Sequence, residues 1–367
     1  MVAASLTPRV GARYDAGVSR LLKNDRVLRA LRREAVDITP IWIMRQAGRY
    51  MPEYRALRAE ADFLTLCRTP ELATRATLLP IDLLGVDAAI IFSDILVPVQ
   101  AMGMPLVFSE SKGPQLPVPI RDRAGVDALK DFDPWNDTGF LLASIQQTVS
   151  ALDGRVPLLG FAGAPYTLAT YMIEGETSKN FYGIKRLAYQ APELLHRLLD
   201  RLTHMVGNYL VAQVEAGADA VQIFDTWAGA LSPSDYAAFC GPYTARIVET
   251  VKKTGVPVIL YVNGCAALLE AMVDTGVDAI SVDWRVDLAE ARERIGGRVA
   301  LQGNLDPCAL YAQPDTLRQA ACRVLDAYGR EPGHVFNLGH GILPDVSVES
   351  AKMLVDTVHQ SSRALRS

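Results

Sequence analysis

Three stretches of the chain repeat one pattern of apolar and polar positions. Gly85-Val-Asp-Ala-Ala-Ile-Ile-Phe-Ser-Asp94, Gly217-Ala-Asp-Ala-Val-Gln-Ile-Phe-Asp225 and Gly276-Val-Asp-Ala-Ile-Ser-Val-Asp283 each set a glycine before a short apolar run and an acid after it. Amphipathic segments precede them, over 71–84, 198–216 and 266–275. The glycine suits the left-handed end of a helix, and the apolar run suits a buried parallel strand. Comparable runs at 41–44, 88–92, 157–161, 220–224, 256–262, 279–282, 299–302 and 334–338 raise the expected strand count to eight. Most intervals are long enough for a crossover helix, so the pattern predicts an α/β fold, a single (β/α)8 TIM barrel. No GxGxxG follows any of these strands, which argues against a dinucleotide-binding sheet.

Two irregular stretches interrupt the alternation. Residues 97–120 are rich in Pro and Gly with alternating apolar positions, and predict a hairpin-bearing insertion after strand two. Residues 164–182, opening on Pro165, predict a long loop after strand three. Residues 1–18 have little periodicity and are expected to form a loose N-terminal arm, with 19–367 as one catalytic domain.

Composition narrows the function classes slightly. Half of the 367 residues are hydrophobic, and the net charge of −4 offers no general attraction for nucleic acid or an acidic membrane. An acidic ligand therefore needs a local basic cluster. The five cysteines are scattered, as expected of reduced thiols in the cytoplasm. No apolar run approaches a membrane span.

In a barrel of this kind the active site lies at the C-terminal ends of the strands. Those ends carry Arg45, Asp94, Phe161, Asp225–Thr226, Asn263, Asp283, Asn304 and His340. Capping of the next helix accounts for Asp283 and Asn304. Arg45 instead opens a segment holding Arg49, Arg55 and Arg58, broken by Gly48 and Pro52. Guanidinium forks suit carboxylates, so the segment predicts a polycarboxylate ligand. The competing reading pairs these arginines with Glu53, Glu60 or Asp62. Asp94 closes an otherwise apolar strand, where a carboxylate is costly unless it meets donors or a developing positive charge. Tyr171 and His340 fall after strands, and Phe161 between Gly160 and Gly163 is either core or one wall of an apolar cavity.

Longer motifs add a resemblance. Residues 40–55, from Pro40-Ile-Trp-Ile-Met-Arg-Gln-Ala-Gly-Arg49 onward, and residues 160–175, from Gly160-Phe-Ala-Gly-Ala-Pro-Tyr-Thr-Leu-Ala-Thr-Tyr171 onward, resemble the two signatures of the uroporphyrinogen decarboxylase family. Ile91-Phe-Ser-Asp-Ile-Leu96, Phe224-Asp-Thr-Trp-Ala-Gly229, Gln302-Gly-Asn-Leu-Asp-Pro307 and Asn337-Leu-Gly-His-Gly341 resemble further family blocks in order. The resemblance implies a (β/α)8 barrel, a homodimer in the cytoplasm, and removal of four acetate carboxyls from uroporphyrinogen without metal or cofactor. By motif position it implies Asp94, Arg45, Tyr171 and His340 as catalytic. Arg45, Gln46, Ala47, Gly48, Arg49, Arg58, Asp94, Phe161, Tyr171, Thr226 and His340 would bind substrate. Thr226 stands where serine is also common, and Tyr261-Val-Asn-Gly-Cys265 departs from the family's usual turn. Two rivals are a zinc-dependent methyltransferase on a related barrel and a tetrapyrrole-binding protein without turnover. None of the five histidines adjoins a cysteine, which counts against the first.

Overall fold

A computed structural model of the chain describes residues 20–109 and 113–366. The expected arm at 1–18 lies outside the described residues. Nine strands are present among the described residues, labelled here in chain order: β1 (Ala89–Ile90), β2 (Val107–Ser109), β3 (Gly113–Gln115), β4 (Leu158–Gly163), β5 (Ala220–Phe224), β6 (Val258–Tyr261), β7 (Ala279–Ser281), β8 (Ala300–Gln302) and β9 (His334–Val335). Seven of them make one parallel sheet in the order β1-β4-β5-β6-β7-β8-β9. The other two, β2 and β3, form the antiparallel hairpin expected in the insertion.

The strand expected over 41–44 is reduced to a parallel bridge between Ile41 and Phe336. Even so, it joins both edges of the sheet. Phe336 N–H donates to Pro40 O at 2.8 Å, and Asp87 N–H donates to Ile41 O at 2.7 Å. Side chains take the place of further ladder bonds. Ile43 N–H donates to Gln46 Oε1 at 3.1 Å and Met44 N–H to Asn337 Oδ1 at 2.9 Å. These substitutions close the barrel while leaving its first strand too irregular to extend.

The repeated glycines do what the pattern implied. Gly85 ends the helix Pro70–Leu84 at φ 72°, a left-handed conformation that costs other residues strain. The acid two residues later carries a role that periodicity does not reveal. Asp87 N–H donates to Ile41 O, and the Asp87 carboxylate accepts Ile41 N–H at 2.8 Å. Asp219 clasps Leu158 in the same two-sided way, with carboxylate and carbonyl bonds both at 2.8 Å. Asp278 clasps Val258 at 2.9 and 3.0 Å. Each clamp fixes the start of one strand against the preceding one in the barrel, and so sets register. Each carboxylate also meets a basic side chain: His359, Arg20 and Lys252 respectively. Asp87→Ala leaves Ile41 N–H buried without its acceptor, and is expected to cost about 1–3 kcal/mol in a urea unfolding titration. An unchanged midpoint would show that the clamp adds nothing to stability.

Inward-facing residues fill the barrel in layers. Ala88, Leu159, Ala220, Ile259, Ala279, Ala300 and Val335 form a lower apolar layer, plugged below by Val27, Leu28 and Leu31 of the short helix Arg26–Leu31. Small side chains let the fully buried Trp42 fit among them. One step higher, Trp42 Nε1 donates to Gln302 Oε1 at 2.9 Å, while Gln302 Nε2 donates to Gln222 Oε1 at 3.0 Å and Ser281 Oγ at 2.9 Å. Alternation along the strands then brings Phe161, Phe224 and Tyr261 to the upper mouth.

A second expectation is corrected. The stretch 164–182 is not a continuous loop, because Pro165–Glu174 is a helix with Pro165 in its first turn. A proline there gives up no intrahelical hydrogen bond and presets φ. Nearly every residue of this helix is buried, so its pattern has little amphipathic contrast to read.

Candidate active site

The strand-end loops interlock around the mouth. Gly341 lies so close to Arg45 that an added Cβ would stand 2.5 Å from Arg45 Cδ. At Gly339 an added Cβ would collide with Trp284 N at 2.2 Å. Thr167 Oγ1, on the helix after β4, donates to Asp225 Oδ1 at 2.8 Å and accepts Trp227 N–H at 3.1 Å. That link fixes the turn carrying Thr226 after β5. Burial pushes the Asp225 carboxyl up to about 6.

Arg45 sits at φ 63°, a left-handed conformation unusual for a side chain this long. It is exposed, as is Arg49, and neither makes an ion pair or side-chain hydrogen bond among the described residues. The competing salt-bridge reading is not what forms. Glu60 pairs with Arg75, and Asp62 caps the helix Phe63–Arg68 through Thr65 N–H. Arg55 supports the loop by donating to Arg49 O at 2.8 Å and Tyr50 O at 3.1 Å. Arg58 donates to Ala61 O at 2.8 Å and leans over Phe63, so its guanidinium is partly engaged at the end of its own helix. Gln46 is buried with its amide committed to Ile43 N–H and Ala88 O, leaving half-buried Ala47 and Gly48 beside it.

Asp94 follows β1 in a turn where its Oδ1 accepts Leu96 N–H at 2.8 Å. The short helix Val97–Ala101 starts directly afterwards, with Pro98 tolerated in its first turn. Desolvation raises the Asp94 carboxyl above its ordinary value; the Leu96 N–H and the Arg45 charge offset that only in part. It is a carboxylate short of donors. Tyr171, on the helix Pro165–Glu174, is also raised, first by burial and then by Asp94, so its phenol stays neutral.

His340 Nδ1 accepts Gly341 N–H at 2.6 Å, which assigns the imidazole proton to Nε2. Burial, followed by the charges of Arg45 and Arg285, lowers this histidine to about 4. It is therefore a neutral donor at physiological pH. An NMR titration of its ring protons is expected to show no transition at ~6.5, the ordinary value; one found there would place a charged imidazolium in the mouth.

Aromatic rings form much of the wall. Phe161 meets Phe224 at 5.7 Å, Phe224 meets Tyr261 at 6.0 Å, and Tyr261 and Trp284 each meet His340 at 6.1 Å. Tyr171 packs on Trp227 at 5.9 Å, and Trp227 on Phe181 at 5.3 Å. Of these, Phe224, Tyr261, Trp227, Trp284 and Phe181 were not singled out from the sequence. For all but Phe181, which caps the helix Tyr182–Gln190, the only signal is an aromatic at or just beyond a strand end. The arrangement is an aromatic-walled mouth in which the desolvated Asp94 carboxylate lies within electrostatic reach of the Arg45 guanidinium.

Comparison with known proteins supplies the decisive observation. Residues 22–361 match the family model described as uroporphyrinogen decarboxylase. The chain belongs to the uroporphyrinogen decarboxylase family. Among its relatives, the uroporphyrinogen decarboxylase of Nitrosococcus oceani is 55% identical, covering 93% of this chain and 97% of that one. The one from Myxococcus xanthus is 52% identical, over 94% and 98%. A methyltransferase from Methanosarcina mazei shares the barrel at a TM-score of 0.76 with 24% identity, over 91% of this chain and 97% of that one. At that identity it speaks for the fold alone. Among the described residues no group of three or more His, Cys, Asp or Glu is placed to hold a metal ion, and no helix is long and apolar enough to cross a membrane.

Proposed function

We propose that this chain, like the relatives it matches, decarboxylates uroporphyrinogen, converting the four acetates of the III isomer to methyls to yield coproporphyrinogen III. The observation that carries this reading is Asp94, a carboxylate short of donors, in an aromatic-walled mouth within electrostatic reach of the exposed Arg45. A porphyrinogen presents what such a mouth lacks. Its pyrrole N–H groups converge at the centre of the macrocycle and its carboxylates surround the rim.

Direct loss of CO₂ from a pyrrole acetate would leave a poorly stabilised carbanion. Protonation of the pyrrole α-carbon first makes an iminium-like cation. The C–CO₂ bond then breaks, its electron pair neutralises the ring, and a second proton turns the exocyclic methylene into a methyl group. One α-proton returns to solvent, so each acetate exchanges CO₂ for one net proton. Asp94, accepting the pyrrole N–H groups, stabilises the cation more than the neutral ring, which is the preference that accelerates the reaction. Arg45 and Arg49 hold the carboxylates that remain, with backbone contacts from Ala47 and Gly48. Tyr171, Thr226 and the Nε2–H of His340 complete the polar contacts, and Phe161 walls the ring. Gln46 acts through the loop it braces, and Arg58 is a peripheral anchor at most. His340, neutral at physiological pH, supplies no imidazolium acid, and the proton comes ultimately from solvent. Residues 19–367 are read as one catalytic domain, acting in the cytoplasm as a homodimer and requiring no cofactor.

Anaerobic incubation of chelator-treated protein with freshly reduced uroporphyrinogen III tests the reading. Hepta- through tetracarboxylate products, separated by chromatography, are the expected result. Tight binding without CO₂ loss would make the chain a tetrapyrrole-binding protein instead. A requirement for zinc would favour methyl-transfer chemistry, although no suitable ligand set is assembled among the described residues.

A further inference from the structure

Arg285 stands apart from the basic segment that opens the site, yet it reaches the same mouth. It follows β7, whereas Arg45 and Arg49 follow the first strand segment. Its guanidinium stacks on Trp284 with its carbon 3.9 Å from the ring centroid, and Trp284 in turn contacts His340. Arg285 and Arg45 both act electrostatically on His340 and on Tyr261, so the two cations approach the same wall of the mouth.

The plain alternative is that Arg285 serves only as the counter-ion of buried Asp283. The hydrogen bonds argue otherwise. Asp283 already accepts three backbone N–H groups, from Gly264 at 2.6 Å, Cys265 at 2.9 Å and Arg285 itself at 2.8 Å. Both side-chain bonds of Arg285 leave through one nitrogen, Nη1, to Asn263 Oδ1 at 3.0 Å and Asp283 Oδ1 at a long 3.3 Å. Among the described residues the Nε and Nη2 edge has no protein acceptor, and the side chain remains 51% exposed. One edge thus fixes the fork while the ring of Trp284 holds its plane, leaving the other edge preorganised for a carboxylate.

We propose that Arg285 is a second carboxylate anchor, binding a rim carboxylate of the tetrapyrrole from a different loop than the one that carries Arg45 and Arg49. The inference rests on the decarboxylase reading above. A substrate that must be turned over once per acetate presents carboxylates in several orientations. Anchors on separate loops can hold it in each of them without changing the chemistry at Asp94.

Arg285→Met keeps the stacked stem and removes the fork. The expected result is a rise of about ten-fold in KM for uroporphyrinogen III with kcat within about two-fold of wild type, and partial recovery in Arg285→Lys. A thermal melt matching wild type establishes that the variant is folded. Wild-type KM in Arg285→Met overturns the proposal, and so does a lowered melting temperature with KM unaltered, which assigns Arg285 to the Asp283 loop alone. If wild-type protein itself releases no CO₂, the functional reading fails; if wild type turns over and Arg285→Met is identical to it, only this inference fails.

Discussion

Asp94→Asn is expected to lower kcat by about 10²–10³-fold, the range found when one preorganised electrostatic contact to a developing charge is removed. The amide keeps the size of the side chain, and its oxygen can still accept Leu96 N–H. It cannot supply the negative charge that the proposed mechanism sets against the pyrrole cation. Stability should move the other way. Burial raises the folded pKa of Asp94 above the unfolded one, so the fold favours the protonated form. The favourable contribution is present at low pH and is lost as pH rises through the folded pKa. At neutral pH the ionised group is a burden on the fold, and asparagine relieves it. Thermal melts near neutral pH should therefore show Asp94→Asn at least as stable as wild type. Retained kcat would defeat the charge argument, and a collapsed melt would make the residue structural.

Arg45→Gly carries the second large effect, again with activity and stability separating. Loss of the guanidinium removes the side chain packed on Gly341 and, with it, the proposed carboxylate anchor, and kcat/KM is expected to fall about 100-fold. Glycine adopts φ 63° freely, which recovers about 1 kcal/mol of backbone strain. Its extra freedom in the unfolded chain costs about 0.5–1 kcal/mol, so the melting temperature should barely change. Steady-state kinetics and a melt on the same preparation read both. A sharp loss of stability would mean that Arg45 holds the mouth together and that its strained backbone serves folding, not binding.

Much of the barrel was legible because parallel strands buried on both faces are continuous apolar runs. The ends of those runs also pointed to the rim where Arg45, Asp94, Thr226 and His340 gather. The first strand was overread, since apolar 41–44 bonds to the side chains of Asp87, Gln46 and Asn337, a substitution periodicity does not register. The helix carrying Tyr171 was read as loop because it is buried nearly all round. Asp87, Asp219 and Asp278 stood in plain view within the repeats. Their two-sided clamps span strands distant in sequence, so only the assembled barrel discloses them. Much of the aromatic wall was hidden for a related reason: Phe224 or Tyr261 at a strand end looks like any core residue until the sheet closes. Four arginines grouped in one segment drew attention that a solitary Arg285 did not. Yet Arg55 braces the loop and Arg58 the end of its helix, while Arg285 keeps an open fork.

The proposed mechanism requires Asp94 to be an ionised acceptor of the pyrrole N–H groups. The most direct measurement is the protonation state of its ¹³C-labelled carboxyl, followed by NMR against pH with and without coproporphyrinogen III under anaerobic conditions, with Asp94→Asn used to assign the signal. The expected result is a pKa above the ordinary aspartate value in the free protein that falls when the tetrapyrrole binds, leaving a carboxylate in the complex. A carboxyl that binds a proton more tightly in the complex would contradict the account, because a neutral acid there cannot stabilise a pyrrole cation.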